Sequence, residues 1–139
     1  MPESGVGSPQ PDTPASRLKV LVADDNPTDR MILSRLVSQL GHRVVVAENG
    51  QQAVDFFQSE SPHLILLDAL MPVMDGLTAL RALRAREAEG LFRTPVLMVT
   101  AHAMTGDKER FLAAGADGYV SKPMSQASLQ KEILRVLKH

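Results

Sequence analysis

The stretch that decides the fold is VLVADDNPTDR, residues 20–30. A short apolar run leads into two adjacent aspartates, Asp24 and Asp25, and Asn26 and Pro27 then provide a capping residue and a first helical residue. Two like charges at the end of a buried strand repel each other, and burying either without a partner is costly. The stretch therefore predicts a strand, a helix and a positive group beside the carboxylates.

The same order of strand and helix continues along the chain. Apolar runs such as LILL and VLMV are continuous, which is typical of strands covered on both faces. We predict strands at 18–24, 43–47, 63–68, 95–101 and 117–122, and helices at 27–40, 50–61, 76–89, 104–114 and 125–137. In the first helix, Ile32 and Leu33 are expected on the buried face. This (βα)5 order predicts an α/β fold, a doubly wound five-stranded parallel sheet with helices on both faces.

Composition excludes several classes of function. The 139 residues suit one domain, and 44% hydrophobic and 22% charged residues are ordinary for a soluble protein. A net charge of -1 does not favour nucleic-acid or membrane binding. The chain has no cysteine, which excludes a disulfide framework and a thiolate nucleophile. We expect a cytoplasmic protein without a transmembrane helix.

The first sixteen residues differ from the rest. Nine of them are Pro, Gly or Ser, and such a segment buries too little apolar surface to offset its chain entropy. We predict a flexible tail or linker at 1–16 and one domain at 17–139.

Polar residues follow four of the five predicted strands. In open α/β sheets these carboxyl ends meet at one edge, where ligands bind. Three carboxylates there would raise one another's pKa values, and a hard cation such as Mg²⁺ relieves this. Asp68 is the natural nucleophile toward phosphorus, with Lys122 and Thr100 as phosphate ligands. Taken singly, each residue also has an ordinary explanation: a solvated turn, a surface lysine or a β-forming threonine.

Residues 18–138 resemble a CheY-like response regulator receiver domain over their whole length. The matching motifs are the pair Asp24-Asp25, Asp68 followed by MPVMDG (71–76), Thr100-Ala101, AAGADGY (113–119) and Lys122-Pro123. The resemblance implies the flavodoxin-like strand order 2-1-3-4-5 and makes Asp68 the phosphoacceptor. It also implies Mg²⁺, or Mn²⁺ in its place, held directly by Asp25, Asp68 and the Leu70 carbonyl and mostly through water by Asp24. The Lys122–Pro123 bond would be cis.

The resemblance further implies a switch. The Thr100 hydroxyl would move toward phosphate on Asp68, and Tyr119 would rotate into the space left behind. Ala101 leaves room for this movement. Leu70, Ala101 and His102 would tune the rate of phosphate loss, which we expect to be slow to moderate. The moving parts would be the 102–109 segment and the face built from helix four, strand five and helix five.

A second resemblance concerns the partner. The stretch AHAMTGDKERFLAAGADGYVSKPM (101–124) is similar to receivers fused to hybrid sensor histidine kinases. The phosphodonor would be a histidine on a histidine kinase or on a histidine-phosphotransfer domain. The downstream target would be a protein that contacts the switching face, and no nucleic acid or membrane is expected as a partner.

Three alternatives stay open at this point. A receiver-like docking module would keep the site without using it. A Mg²⁺-dependent aspartate-nucleophile phosphatase usually has an acidic residue two positions after the nucleophile, where this chain has Leu70, so a stand-alone enzyme is not expected. A nucleotide-binding domain would need a glycine-rich loop after the first strand. The cluster Arg81, Arg84, Arg86 and Arg93 is interpreted as a solvated helix face.

Overall fold

The computed structural model describes residues 18–71, 73–88, 93–101 and 106–137. Several predictions lie outside the described residues: the tail at 1–16, the end of the third helix at Glu89, the start of the fourth helix at Met104 and the rate-tuning role of His102. Among the helices that the structure describes, none combines the length and apolar character that a membrane crossing requires.

Five parallel strands form the sheet. They are β1 (Lys19–Ala23), β2 (Arg43–Ala47), β3 (Leu64–Asp68), β4 (Val96–Thr100) and β5 (Gly118–Ser121), in the order β2-β1-β3-β4-β5. The predicted strand order is therefore confirmed. All residues of β3 and β4 are buried, as their continuous apolar sequences require. The register pairs Ala23 with Leu67 and Asp68 with Val99, so the carboxyl ends of the three central strands lie side by side.

Five helices connect and follow the strands. They are α1 (Pro27–Gln39), α2 (Gly50–Glu60), α3 (Gly76–Glu87), α4 (Asp107–Ala113) and α5 (Gln126–Leu137). The Asn26 side chain accepts hydrogen bonds from the backbone N–H groups of Thr28 and Asp29, so the predicted cap of α1 is present. The chain leaves α1 and α4 through Gly41 and Gly115, whose φ angles of 95° and 112° suit glycine.

The helices cover the sheet in two layers. Leu33 and Val37 of α1 pack with Leu129 and Ile133 of α5 on one face. On the other face α2, α3 and α4 pack around a cluster that includes Phe57, Leu80 and Phe111. Each layer removes its apolar side chains from water, which is the main favourable contribution to folding.

Two predictions about helix faces are wrong. Ile32, expected on the buried face of α1, is 48% exposed. Arg84, expected on a solvated face, is half-buried and donates hydrogen bonds to the Gly115 carbonyl (2.9 Å) and the Asp117 carboxylate (3.1 Å). It also pairs with Glu87 at 2.8 Å. Arg84 therefore joins α3 to the turn between α4 and β5.

Candidate functional site

Three carboxylates meet at the carboxyl edge of the sheet. Oxygen atoms of Asp24, Asp25 and Asp68 lie within 4.8 Å of one another. Asp24 is fully buried and Asp68 is 6% exposed, whereas Asp25 is exposed. The ends of β1 and β3 bring these residues together because the two strands are neighbours in the sheet. Two of the three charges therefore lie where water solvates them poorly.

The electrostatics of Asp68 reflect this position. Burial, with a further contribution from the negative charge of Asp24, raises the pKa of Asp68 to about 7 against an opposing effect of Lys122. The Leu70 backbone N–H donates to Oδ1 of Asp68 at 3.3 Å and favours the ionised form. A carboxylate in this environment gains from any additional positive charge.

Among the described residues, Lys122 is the one whose ammonium group lies against this acidic cluster. Its Nζ donates to Oδ2 of Asp24 at 2.8 Å and lies 3.6 Å from Oδ2 of Asp68. Burial alone lowers the pKa of Lys122, but hydrogen bonds to Asp24 and Asp29 outweigh burial and hold that pKa above its ordinary value. Lys122 therefore stays charged beside the carboxylates.

Asp29 belongs to the site and was missed by the sequence analysis. Its Oδ2 accepts a hydrogen bond from Nζ of Lys122 at 3.0 Å, which is shorter than the distance from Lys122 to Asp68. In the sequence Asp29 looked like an ordinary acidic residue in the first turn of a helix. Only its position four residues after Asp25, a spacing of about one helical turn, could have suggested that its side chain faces the acidic cluster.

Local hydrogen bonds hold the loop that carries the acidic pair. Oδ1 of Asp24 accepts from the backbone N–H of Asn26 at 3.0 Å. The Asp24 carbonyl accepts from Nη1 of Arg30 at 2.9 Å. Since Asn26 also caps α1, the acidic pair is fixed to the start of that helix.

The loop after Asp68 is unusual in its backbone. Val73 has a φ of 69°, which is strained for a β-branched residue. A Cβ on Gly76 would meet the carbonyl oxygen of Asp68, so the chain passes directly behind the acidic residue. The side chain of Leu70 points to solvent, since the residue is 71% exposed. The loop thus packs closely against Asp68 at Gly76 and exposes the Leu70 side chain to solvent.

The remaining predicted residues lie on β4 and β5. Thr100 is buried at the end of β4, and its carbonyl accepts from the backbone N–H of Lys122 at 2.7 Å. Ala101 is exposed beside it. The Lys122–Pro123 peptide bond is cis. Tyr119 is separate from the carboxylates: it is half-buried, pairs with Met98 in the sheet, and its ring centre lies 6.3 Å from that of Phe111 on α4.

The acidic cluster fits a divalent cation. Its donors are carboxylate oxygens, the ligands that Mg²⁺ prefers, and they come from two strand ends that converge. Against the three carboxylates of Asp24, Asp25 and Asp68, the described residues place one ammonium, that of Lys122. The chemistry of the donors and the excess of negative charge both agree with a Mg²⁺ site.

Comparison with known proteins identifies a family that matches most of this chain. The model of the response regulator receiver domain family matches residues 20–134. The chain is 40% identical over 120 residues to hybrid signal transduction histidine kinase I of Dictyostelium discoideum, a match that covers 83% of this chain and 7% of that protein. The chain therefore spans a small part of that relative.

Two solved structures are similar as well. One is the receiver domain of the sensor histidine kinase PA1611 of Pseudomonas aeruginosa, with a magnesium ion in its active site cleft. It has 34% identity and a TM-score of 0.79, covering 88% of this chain and 98% of that one. The other is the Ssk1 receiver of Saccharomyces cerevisiae in complex with the histidine phosphotransfer protein Ypd1. It has 28% identity and a TM-score of 0.79, and the match covers 87% of this chain and 89% of that one.

Proposed function

Because this chain belongs to the response regulator receiver domain family, we propose that it accepts a phosphoryl group on Asp68. The donor is a phosphohistidine of a histidine kinase or a histidine-phosphotransfer domain. The observation that supports this most is the position of Asp68: a buried carboxylate at a strand end, with Asp24 beside it and the Lys122 ammonium 3.6 Å away.

The transfer needs one bond to form and one to break. A carboxylate oxygen of Asp68 attacks phosphorus, the nitrogen–phosphorus bond of the donor breaks, and its electron pair stays on the imidazole nitrogen. The product is an acyl phosphate. Lys122 and the Thr100 hydroxyl bind the phosphoryl oxygens, on which negative charge accumulates.

Mg²⁺ is the proposed cofactor, with Mn²⁺ as a substitute. Asp25, Asp68 and the Leu70 carbonyl would hold it, with Asp24 in support. When bound, the cation neutralises charge on the phosphoryl oxygens. The similar receiver of PA1611, which was crystallised with magnesium in its cleft, supports this assignment.

The switch proposed for the phosphorylated state involves Thr100 and Tyr119. The Thr100 hydroxyl moves toward the phosphoryl group, and Tyr119 rotates into the space left behind. Ala101 leaves space for this movement, and Leu70, Ala101 and His102 set the rate of phosphate loss. A few new hydrogen bonds to a charged group can bias such a two-state element. The face of α4, β5 and α5 then contacts a downstream protein, or Asp68 passes its phosphoryl group on to the next protein of a relay.

The wider setting is also a proposal. The Ypd1–Ssk1 complex shows a histidine phosphotransfer protein bound to a similar receiver, which supports a partner of that class. We assign the receiver to residues 17–139 and a tail or linker to 1–16, within a cytoplasmic signalling protein. The chain would act on its own phosphorylation state and not as a stand-alone enzyme.

Intact mass spectrometry tests the proposal. The protein is incubated with Mg²⁺ and acetyl phosphate, beside Asp68→Asn and the control Asp55→Asn, which removes an exposed carboxylate on α2. We expect one added phosphate in the wild type and in Asp55→Asn, and none in Asp68→Asn or without Mg²⁺. Equal uptake by Asp68→Asn would refute the proposal. Absence of uptake by a protein that binds Mg²⁺ and also ignores phosphohistidine donors would favour a docking module.

A further inference from the structure

The Lys122 ammonium has two partners that are nearer than Asp68. Its Nζ lies 2.8 Å from Asp24 and 3.0 Å from Asp29, but 3.6 Å from Asp68. An ammonium has three N–H donors and binds as a compact point charge. Two of those donors are therefore directed at carboxylates that do not accept phosphate.

Asp29 is well placed to hold the ammonium. It lies in the first turn of α1, where its backbone N–H donates to Oδ1 of Asn26 at 3.1 Å. Asp24 and Asp29 flank Asn26 in the sequence, and their side chains are 0% and 37% exposed. Because Asp29 is more exposed than Asp24, its ion pair with Lys122 is the one that breaks more easily.

We propose that Asp29 is a positioning residue that holds Lys122 on the α1 side of the cleft and competes with the phosphoryl group for the ammonium. When phosphate is present on Asp68, Lys122 exchanges its hydrogen bond to Asp29 for one to a phosphoryl oxygen. The Asp29 carboxylate also repels the incoming anion. Asp29 thus lowers the occupancy of the site. This inference rests on the proposed function of Asp68.

Beryllofluoride, a noncovalent mimic of the phosphoryl group, provides the test. It is titrated at saturating Mg²⁺ into the wild type, Asp29→Asn, Asp29→Glu and the charge control Asp55→Asn, with binding followed by NMR. An exposed ion pair is worth up to about 1 kcal/mol, so we expect Asp29→Asn to bind beryllofluoride about two- to fivefold more tightly. Asp29→Glu should stay closer to the wild type, and Asp55→Asn should match it.

Mg²⁺ affinity distinguishes positioning from loosening of the fold. Removing a carboxylate near the cleft should leave the Mg²⁺ affinity unchanged or weaken it, while beryllofluoride binding becomes tighter. A general loosening would weaken both. Equal or weaker beryllofluoride binding by Asp29→Asn, or the same gain in Asp55→Asn, would overturn the role of Asp29 and leave the proposed function intact. A wild type that binds no beryllofluoride and takes up no phosphate would overturn both.

Discussion

Replacing Asp68 by Asn should stabilise the metal-free protein at alkaline pH. The Asp68 carboxyl has a folded pKa of about 7, because it is buried and lies beside Asp24, against an ordinary value of 3.8. Between these values the folded state binds more protons at this position than the unfolded state does. The stabilisation that is fully present below the unfolded pKa is therefore lost as pH rises through the folded pKa. Asn has a similar shape and does not ionise, so it avoids this loss.

The magnitude follows from the shift. Each unit of pKa difference corresponds to about 1.4 kcal/mol, so a shift of roughly three units gives about 4 kcal/mol. The difference in the free energy of unfolding between Asp68→Asn and the wild type should be near zero at pH 4. It should reach about 4 kcal/mol above pH 7, where the shift is fully expressed.

Urea denaturation in EDTA, followed by circular dichroism from pH 4 to 8, measures this difference. Asp55→Asn is the control for the loss of one exposed carboxylate and should follow the wild-type profile. Adding Mg²⁺ at pH 8 should stabilise the wild type more than Asp68→Asn, because a ligand stabilises the state that binds it. A variant that is less stable than the wild type at pH 8, or a difference independent of pH, would refute the electrostatic reasoning.

Three further substitutions test polar contacts, packing and backbone strain by urea denaturation. Arg84→Ala should cost about 2–4 kcal/mol because it removes the ion pair of half-buried Glu87 and the hydrogen bonds to the Thr94 and Gly115 carbonyls, although Asp117 keeps its ion pair with Arg93. The exposed Arg81→Ala should cost little, and equal costs would contradict these contacts. Gly76→Ala should cost about 2–3 kcal/mol because the methyl group meets the carbonyl of Asp68, and an unchanged stability would show that the loop moves aside. Val73→Asn should gain about 1 kcal/mol, since Asn tolerates a φ of 69° better and Val73 is 82% exposed; a loss would mean that the strain is absent.

Local patterns predicted most of the fold. Continuous apolar runs identify β3 and β4, and the Asn26-Pro27 pair identifies the start of α1. Strand ends then bring Asp24 and Asp68 to one edge, since parallel strands share an orientation. These inferences need only local sequence and the general rules of α/β sheets.

Long-range polar contacts could not be predicted in the same way. Asp29 and Lys122 are 93 residues apart, and Arg84 and Asp117 are 33 apart. Each of these residues is typical of a solvated helix face or turn when it is viewed alone. The close approach of Gly76 to the Asp68 carbonyl is likewise a property of the folded backbone and has no signal beyond the glycine itself. Such contacts depend on how the elements pack.

Localising the phosphate tests the central claim most directly. Borohydride reduces an acyl phosphate on aspartate to homoserine, and peptide mass spectrometry of the protein treated with acetyl phosphate and Mg²⁺ identifies the reduced residue. The account predicts homoserine at position 68 alone, dependent on Mg²⁺. Reduction at Asp24 or Asp25 with Asp68 intact would contradict it, as would a phosphorylated protein in which no aspartate is reduced.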